Sequence, residues 1–393
     1  MKIGITLSGG GFKALVFHLG VLARLAEENQ LEHVTYVSTV SGGSLAIGLV
    51  LAQNNFAWPS SQDYINILLP KLQEQVTTNG LKQALILRQL RKIFTIFDTR
   101  ADDVAVLLEK RWNITISLDQ LPDTPRWMIN TTCYETGKNW RFERFRMGDY
   151  IFGYTNDTKY PLSHAMAASA AFPGLIGPLV VKTDGLSWFQ YHDKEEELDS
   201  TNNPQKPNKK AITPEFKRIH LWDGGVYDNL GLEGLHDFRK GWPRLDFLIV
   251  SDASGRFTSA RYQSEISALL RMVSGIMKNQ IRSLQSRTLM ERILDHQDRG
   301  CYLRTGNNCE KILREAWEEK LVNDPNLNEE IIKLCRNSLT EEEAAYCADL
   351  PTDIENLSAK DYKLLFQHGF EVANATLYGY NNDIFTSIKF PQY

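Results

Sequence analysis

The 393-residue chain has no window that approaches the apolar length of a membrane-spanning helix. Its longest apolar runs, "LAIGLVLA" (45–52) and "FPGLIGPLVV" (172–181), are short or broken by Pro and Gly, against the roughly 20 residues a spanning helix needs. It also lacks charge of one sign: 44 basic side chains against 48 acidic ones give no electrostatic case for binding nucleic acid, and confine any membrane contact to a local patch. Cysteine is scarce. Cys133, Cys301, Cys309, Cys335 and Cys347 form no C-x-x-C pair, and their gaps match no common zinc spacing, so reduced thiols in a cytoplasmic protein are the expectation. A strand-like run begins almost at Met1, so a secretory leader is not expected. Internal repeats are absent, and 42% hydrophobic residues suffice for a large core.

What is present is an alternation of strands and helices. "KIGITLS" (2–8) reads as a buried strand, followed after three glycines by a helix from Phe12 to about Glu28. "HVTYVST" (33–39) is a second strand, and after a glycine pair "LAIGLVLA" is a second helix. This predicts an α/β fold with a central, mostly parallel sheet flanked by helices. Residues 60–112 read as a helical insertion, 126–145 as a strand pair, 192–214 as a polar surface insertion, and 217–222 and 245–251 as further strands. From Ser259 to about Leu294 an apolar stripe including Ile266, Leu269 and Ile276 predicts a helix lying across the core. "CYLRT" (301–305) is a short strand, and 306–393 is a helical C-terminal part packed on a domain that spans 1–305.

Two glycine-rich turns open onto one edge of such a sheet. Gly9, Gly11 and Ala14 satisfy G-x-G-x-x-A, but the second strand ends in Ser38 and Thr39 where dinucleotide binding needs an acid, and Lys13 lies wrongly for a phosphate loop. In "TVSGGS" (39–44), Ser41 occupies a strand-to-helix turn of the kind that lifts a nucleophile clear of a sheet. The amides of Gly10 and Gly11, at a helix N-terminus, can stabilise the oxyanion formed when Ser41 attacks a carbonyl, with Lys13 adding positive charge. None of the eight histidines sits in a motif. In "HLWDGGVYDN" (220–229), Asp223 ends a strand before Gly224 and Gly225, and a carboxylate desolvated there can take the serine proton directly.

"GGGFKA" (9–14), "TVSGGS" (39–44) and "DGG" (223–225), in that order, resemble the motifs of the patatin-like phospholipases of bacterial type, as do "ASAAFPGLIGPL" (168–179) and the strand pair after the helical insertion. The resemblance covers roughly residues 3–255. It implies that Ser41 is the nucleophile, Asp223 its base, and Gly9, Gly10 and Gly11 the oxyanion hole, supported by Lys13, Gly42, Gly43, Gly224 and Gly225. It further implies a phospholipase A or lysophospholipase acting through an acyl-enzyme without metal or cofactor. Ala14 and Thr39 depart from the pattern, each standing where the family has glycine. A lipid-binding or regulatory protein with a degraded site is the alternative reading, and a dinucleotide enzyme a weaker one.

Such a substrate calls for a peripheral contact with a phospholipid bilayer. "LKQALILRQLRKIFTIF" (81–97) carries Lys82, Arg88, Arg91 and Lys92 among apolar residues that include Phe94 and Phe97, with no acid, as an interfacial helix does. The C-terminal helical part offers a place for a regulator or for self-association.

Overall fold

The computed structural model describes residues 1–78, 100–191, 209–350 and 357–386, apart from positions 175, 238, 258 and 325. Within them the strands are β1 (Ile3–Leu7), β2 (Val34–Thr39), β3 (Arg126–Cys133), β4 (Asn139–Phe142), β5 (Met147–Asp149) and β6 (Gly153–Thr155), then β7 (Leu179–Lys182), β8 (Trp188–Tyr191), β9 (Lys209–Ile212), β10 (Arg218–Asp223), β11 (Phe247–Asp252) and β12 (Gly300–Arg304). The helices that matter below are α1 (Gly11–Glu27), α2 (Gly42–Gln53), α3 (Arg100–Trp112), α4 (Leu162–Ser169), α5 (Glu265–Arg271), α6 (Lys278–Leu294) and α7 (Ala359–Asn381).

The sheet has a parallel centre, β12-β11-β1-β2-β3, and an antiparallel wing that continues through β4, β5, β6, β8 and β9. The α/β expectation holds, and the wing is larger than the single strand pair read from the sequence. β1 and β11 are buried along their whole length, as central parallel strands covered on both faces must be. β9 begins at Lys209, so the polar tract expected over 192–214 ends in an edge strand, where Lys209 lies 4.2 Å above the Phe189 ring. Residues 192–208 lie outside the described residues.

β3 brings two distant segments together. Its first half pairs in parallel with β2, up to Thr39 opposite Ile129. Its second half pairs antiparallel with β10, which ends at Asp223 opposite Thr131. The C-terminal ends of β2 and β10 therefore meet head-on beside one strand, although 184 positions separate Thr39 from Asp223.

The C-terminal part shares this core. β12 extends the sheet beside β11, and α7 lies along α1 so closely that Gly20 and Gly369 form the crossing. A Cβ at Gly369 would stand 2.0 Å from the Phe17 carbonyl oxygen, and one at Gly20 would stand 2.1 Å from that of Phe366. α1 is consequently buried on all sides, between sheet and α7, which is why it is apolar nearly all round rather than on one stripe.

The stripe of Ile266, Leu269, Leu270, Val273, Ile276 and Met277 is expected from the sequence to face the core, and the four of these whose side chains are described, Ile266, Leu269, Ile276 and Met277, do not. A helical run covers 265–294, but Ile266, Leu269, Met272, Ile276 and Leu284 are exposed, and in α6 only Leu289 is fully buried. Among the described residues no helix is long and apolar enough to cross a membrane.

Replacing Gly369 by Ala should force α7 off α1 and lower stability by about 1–3 kcal/mol. Thermal denaturation measures this; an unchanged melting temperature would mean that the C-terminal helix is not part of the core.

Candidate active site

The two glycine turns abut. Leaving β1, the chain passes Gly9 and Gly10, whose φ of 147° suits glycine alone, and enters α1 at Gly11. Leaving β2, it turns at Ser41 and enters α2 at Gly42. A Cβ on Gly42 would lie 2.2 Å from the carbonyl oxygen of Gly11, so the turns close on each other only because that position is bare.

Ser41 itself adopts φ 49° and ψ −116°, a backbone state that costs a side-chain-bearing residue on the order of 1–3 kcal/mol. Its surroundings enforce it. The Ser41 amide donates to Ser169 Oγ at 3.0 Å, and Ser169 Oγ in turn donates to the carbonyl of Asn130 at 2.8 Å and pairs with Ser44 Oγ at 2.8 Å. Thr39 joins this network through Ser44 Oγ (2.8 Å) and Trp127 Nε1, which donates to Thr39 Oγ1 at 2.9 Å. The threonine in place of the pattern's glycine is thus a bonded part of the turn, and Ala14 sits inside α1, where a Cβ is ordinary.

Asp223 is held as firmly. Its amide donates to Ala171, its carbonyl accepts from Thr132 Oγ1, and its Oδ1 accepts the Gly225 amide at 2.7 Å. Burial pushes its pKa above the usual carboxylate value, while the Lys278 ammonium, the Gly225 amide and the nearby Ser41 hydroxyl work against that rise. Gly224 packs against Asn130, and Gly43 against Leu7, behind Asp223 and Ser41.

Gly9, Gly10, Gly11, Ser41 and Asp223 line one cavity of about 230 Å³. The Gly9 amide is already committed to the Asn229 carbonyl at 3.1 Å. Those of Gly10 and Gly11 stand at the α1 N-terminus with no protein acceptor among the described residues, so they are the free donors.

Lys13 goes elsewhere. The first turn of α1 carries its side chain away from the cavity, and Nζ donates to the Ala348 carbonyl at 2.9 Å. Burial there lowers its pKa to about 8. Cations that sequence reading missed take that place: Arg256, Lys278 and Arg282 line the cavity, the last two carried by α6. Lys278 and Arg282 lie in the run from Ser259 to about Leu294 that the sequence reads as a helix across the core. Asn229 was also overlooked; its Oδ1 is buried at the cavity without a hydrogen-bond partner, and its Nδ2 donates to Ser254 Oγ at 2.7 Å. His18, the histidine nearest in sequence to the glycine turn, bridges Ser251 Oγ and the Ser8 carbonyl, and burial lowers its pKa to about 4, so it is a neutral brace. Lys82, Arg88, Arg91, Lys92, Phe94 and Phe97 lie outside the described residues.

The family model of the patatin-like phospholipases matches residues 5–236, more than half of the chain. The chain belongs to the patatin-like phospholipase family. No match is found among curated protein sequences. Of solved structures, human GIVD cytosolic phospholipase A2 is similar at 16% identity and a TM-score of 0.42, over 70% of this chain and 48% of that one. VipD from Legionella pneumophila is similar at 12% identity and a TM-score of 0.31, over 77% and 61%. This patatin-like chain thus spans about half the length of the human enzyme.

In this patatin-like protein, replacing Thr39 by the pattern's glycine should weaken rather than improve the turn. Two buried hydrogen bonds are lost and the unfolded chain gains freedom, a cost of about 1–3 kcal/mol. Chemical denaturation of the Thr39→Gly variant tests this, and a more stable variant would contradict it.

Proposed function

We propose that the protein is a serine acyl hydrolase that cleaves fatty-acyl esters of phospholipids, of phospholipase A or lysophospholipase type. The observation that carries the reading is the convergence at one cavity of a strained Ser41, the buried carboxylate of Asp223 and the uncommitted amides of Gly10 and Gly11. Ser41 Oγ attacks the ester carbonyl carbon and its proton passes to the Asp223 carboxylate. The tetrahedral oxyanion accepts hydrogen bonds from Gly10 and Gly11. Collapse breaks the bond to the alcohol, which leaves with the proton from Asp223. Water then attacks the acyl-serine, yields its proton to Asp223, and the fatty acid departs as Ser41 recovers that proton.

The cavity's charge supports a phospholipid over a neutral ester. Arg256, Lys278 and Arg282 line it with Asp223 as the sole lining acid among the described residues, which suits a phosphodiester beside the scissile bond. Arg282 is held by Asn279 at 2.9 Å and lies 3.7 Å from Asp252, whereas the Lys278 ammonium stands near Asp223 and the Phe172 ring. Peripheral attachment to a bilayer follows from the substrate.

Incubation with defined phospholipids, followed by mass spectrometry of the products, tests the reading. Free fatty acid should appear with the native protein and be abolished in Ser41→Ala. Asp223→Asn should reduce kcat by roughly 10²–10⁴-fold with little change in KM. Full activity in either variant would remove that residue from the mechanism.

Asp223 acts as a base only when ionised, so kcat/KM for a soluble ester should fall as pH drops through a pKa above the ordinary carboxylate value. Lys278→Met removes a cation that favours the ionised form, and should move this acidic limb to still higher pH. A limb that stays in place, or moves down, would show that Asp223 is not the titrating group.

A further inference from the structure

The helical run of α5, the π-helical segment Met272–Met277 and α6 walls one side of the cavity through its last two parts. Gly275, Lys278, Asn279 and Arg282 face inward and line it. Further along the same inward face, Gln285 Nε2 donates to Asp228 Oδ1 at 3.1 Å, and Leu289 is fully buried. The opposite face bears Ile266, Leu269, Met272, Ile276, Met277 and Leu284, with Ile266 74%, Leu269 62% and Leu284 58% exposed. These residues recur at helical spacing, so they form a continuous stripe along about five turns rather than scattered apolar points. Most exposed apolar residues of a soluble surface need no explanation; a whole helical stripe does.

The charge around the stripe indicates what covers it. The segment 255–294 contains seven Lys and Arg residues against two Glu, in a chain whose net charge is −4; of the seven, Lys278 and Arg282 face the cavity and Arg292 pairs with Asp298. Arg256, Arg261 and Arg287 are exposed, and Arg271 stacks 4.5 Å from the Phe257 ring. A second copy meeting the same face across a two-fold axis would oppose cation to cation, which disfavours self-association through it. An apolar stripe rimmed by arginines complements a surface that is anionic outside and apolar just beneath. Its location agrees. Arg256 and Phe257 both line the cavity and lie exposed, so the cavity mouth opens beside the stripe.

We propose that the outward face of residues 265–294 docks on the surface of an anionic phospholipid bilayer, which sets the cavity mouth at the headgroup layer. The proposal rests on the hydrolase reading for its purpose, but not for its test. Docking buries the apolar stripe among the acyl chains near the headgroups while the rim arginines meet lipid phosphates. The docking helix is also the helix that carries Lys278 and Arg282 into the cavity, so one rigid element holds both the membrane and the cationic wall of the site.

Vesicle sedimentation of the full chain tests this, with vesicles of phosphatidylcholine alone and of equimolar phosphatidylcholine and phosphatidylglycerol. The native protein should prefer the anionic vesicles and lose affinity as salt rises. The triple variant Leu269→Glu, Ile276→Glu, Leu284→Glu alters only exposed side chains, so its melting temperature should be retained. Its vesicle affinity should fall about tenfold or more. A native protein that ignores both vesicles would overturn the proposal, as would a triple variant that binds as tightly as native. Light scattering supplies a third arm: a native dimer that the triple variant converts to monomers, with vesicle binding unchanged, would assign the stripe to a second copy and overturn it. Turnover of a soluble ester reads the site separately. A native protein that binds vesicles through this face but hydrolyses neither ester nor phospholipid would sink the hydrolase reading and leave the docking face standing.

Discussion

The structure depends on how closely two backbone turns can approach. Ser41 can present its hydroxyl to the cavity only if α2 begins against the glycine turn after β1, and that contact allows no Cβ at Gly42. The strain at Ser41 is the counterpart of that approach: φ 49° aims the side chain out of the sheet edge, and the Ser169, Ser44 and Thr39 network prevents the turn from relaxing. Remove the close approach, and the free amides of Gly10 and Gly11 no longer face the same point as the serine.

The second half of the site is a matter of sheet topology. An antiparallel β10 laid against the far half of β3 ends where the parallel β2 ends, and so delivers Asp223 to Ser41 from the opposite direction. Neither residue is placed by a flexible loop. Asp223 is the last residue of β10 and Ser41 stands two residues past the end of β2, and each is tied by its own backbone bonds, the preorganisation that the proposed acyl transfer calls for.

Much of this was legible in the sequence because it is local. A strand, a glycine turn and a helix are written in adjacent residues, and the order of three such motifs gave the fold class and the candidate nucleophile and base. What was hidden depended on distance or on the identity of the neighbour. Periodicity marks one face of 265–294 as apolar but does not say whether a core or the exterior covers it, and the structure turns that face outward. Lys13 is next to the glycine turn in sequence, yet helix geometry sends it to Ala348, 335 residues away. Gly9 looks equivalent to its neighbours until Asn229 takes its amide. The cations of the cavity, Lys278 and Arg282, lie in a helix that carries no motif of its own.

The most direct test of the central claim is chemical capture of the nucleophile. A fluorophosphonate should form a single covalent adduct, located by peptide mass spectrometry on the residue at position 41. Ser41→Ala should lack it, and Asp223→Asn should form it far more slowly. An adduct on another residue, or undiminished phospholipid hydrolysis in a protein that takes up no label, would contradict the account.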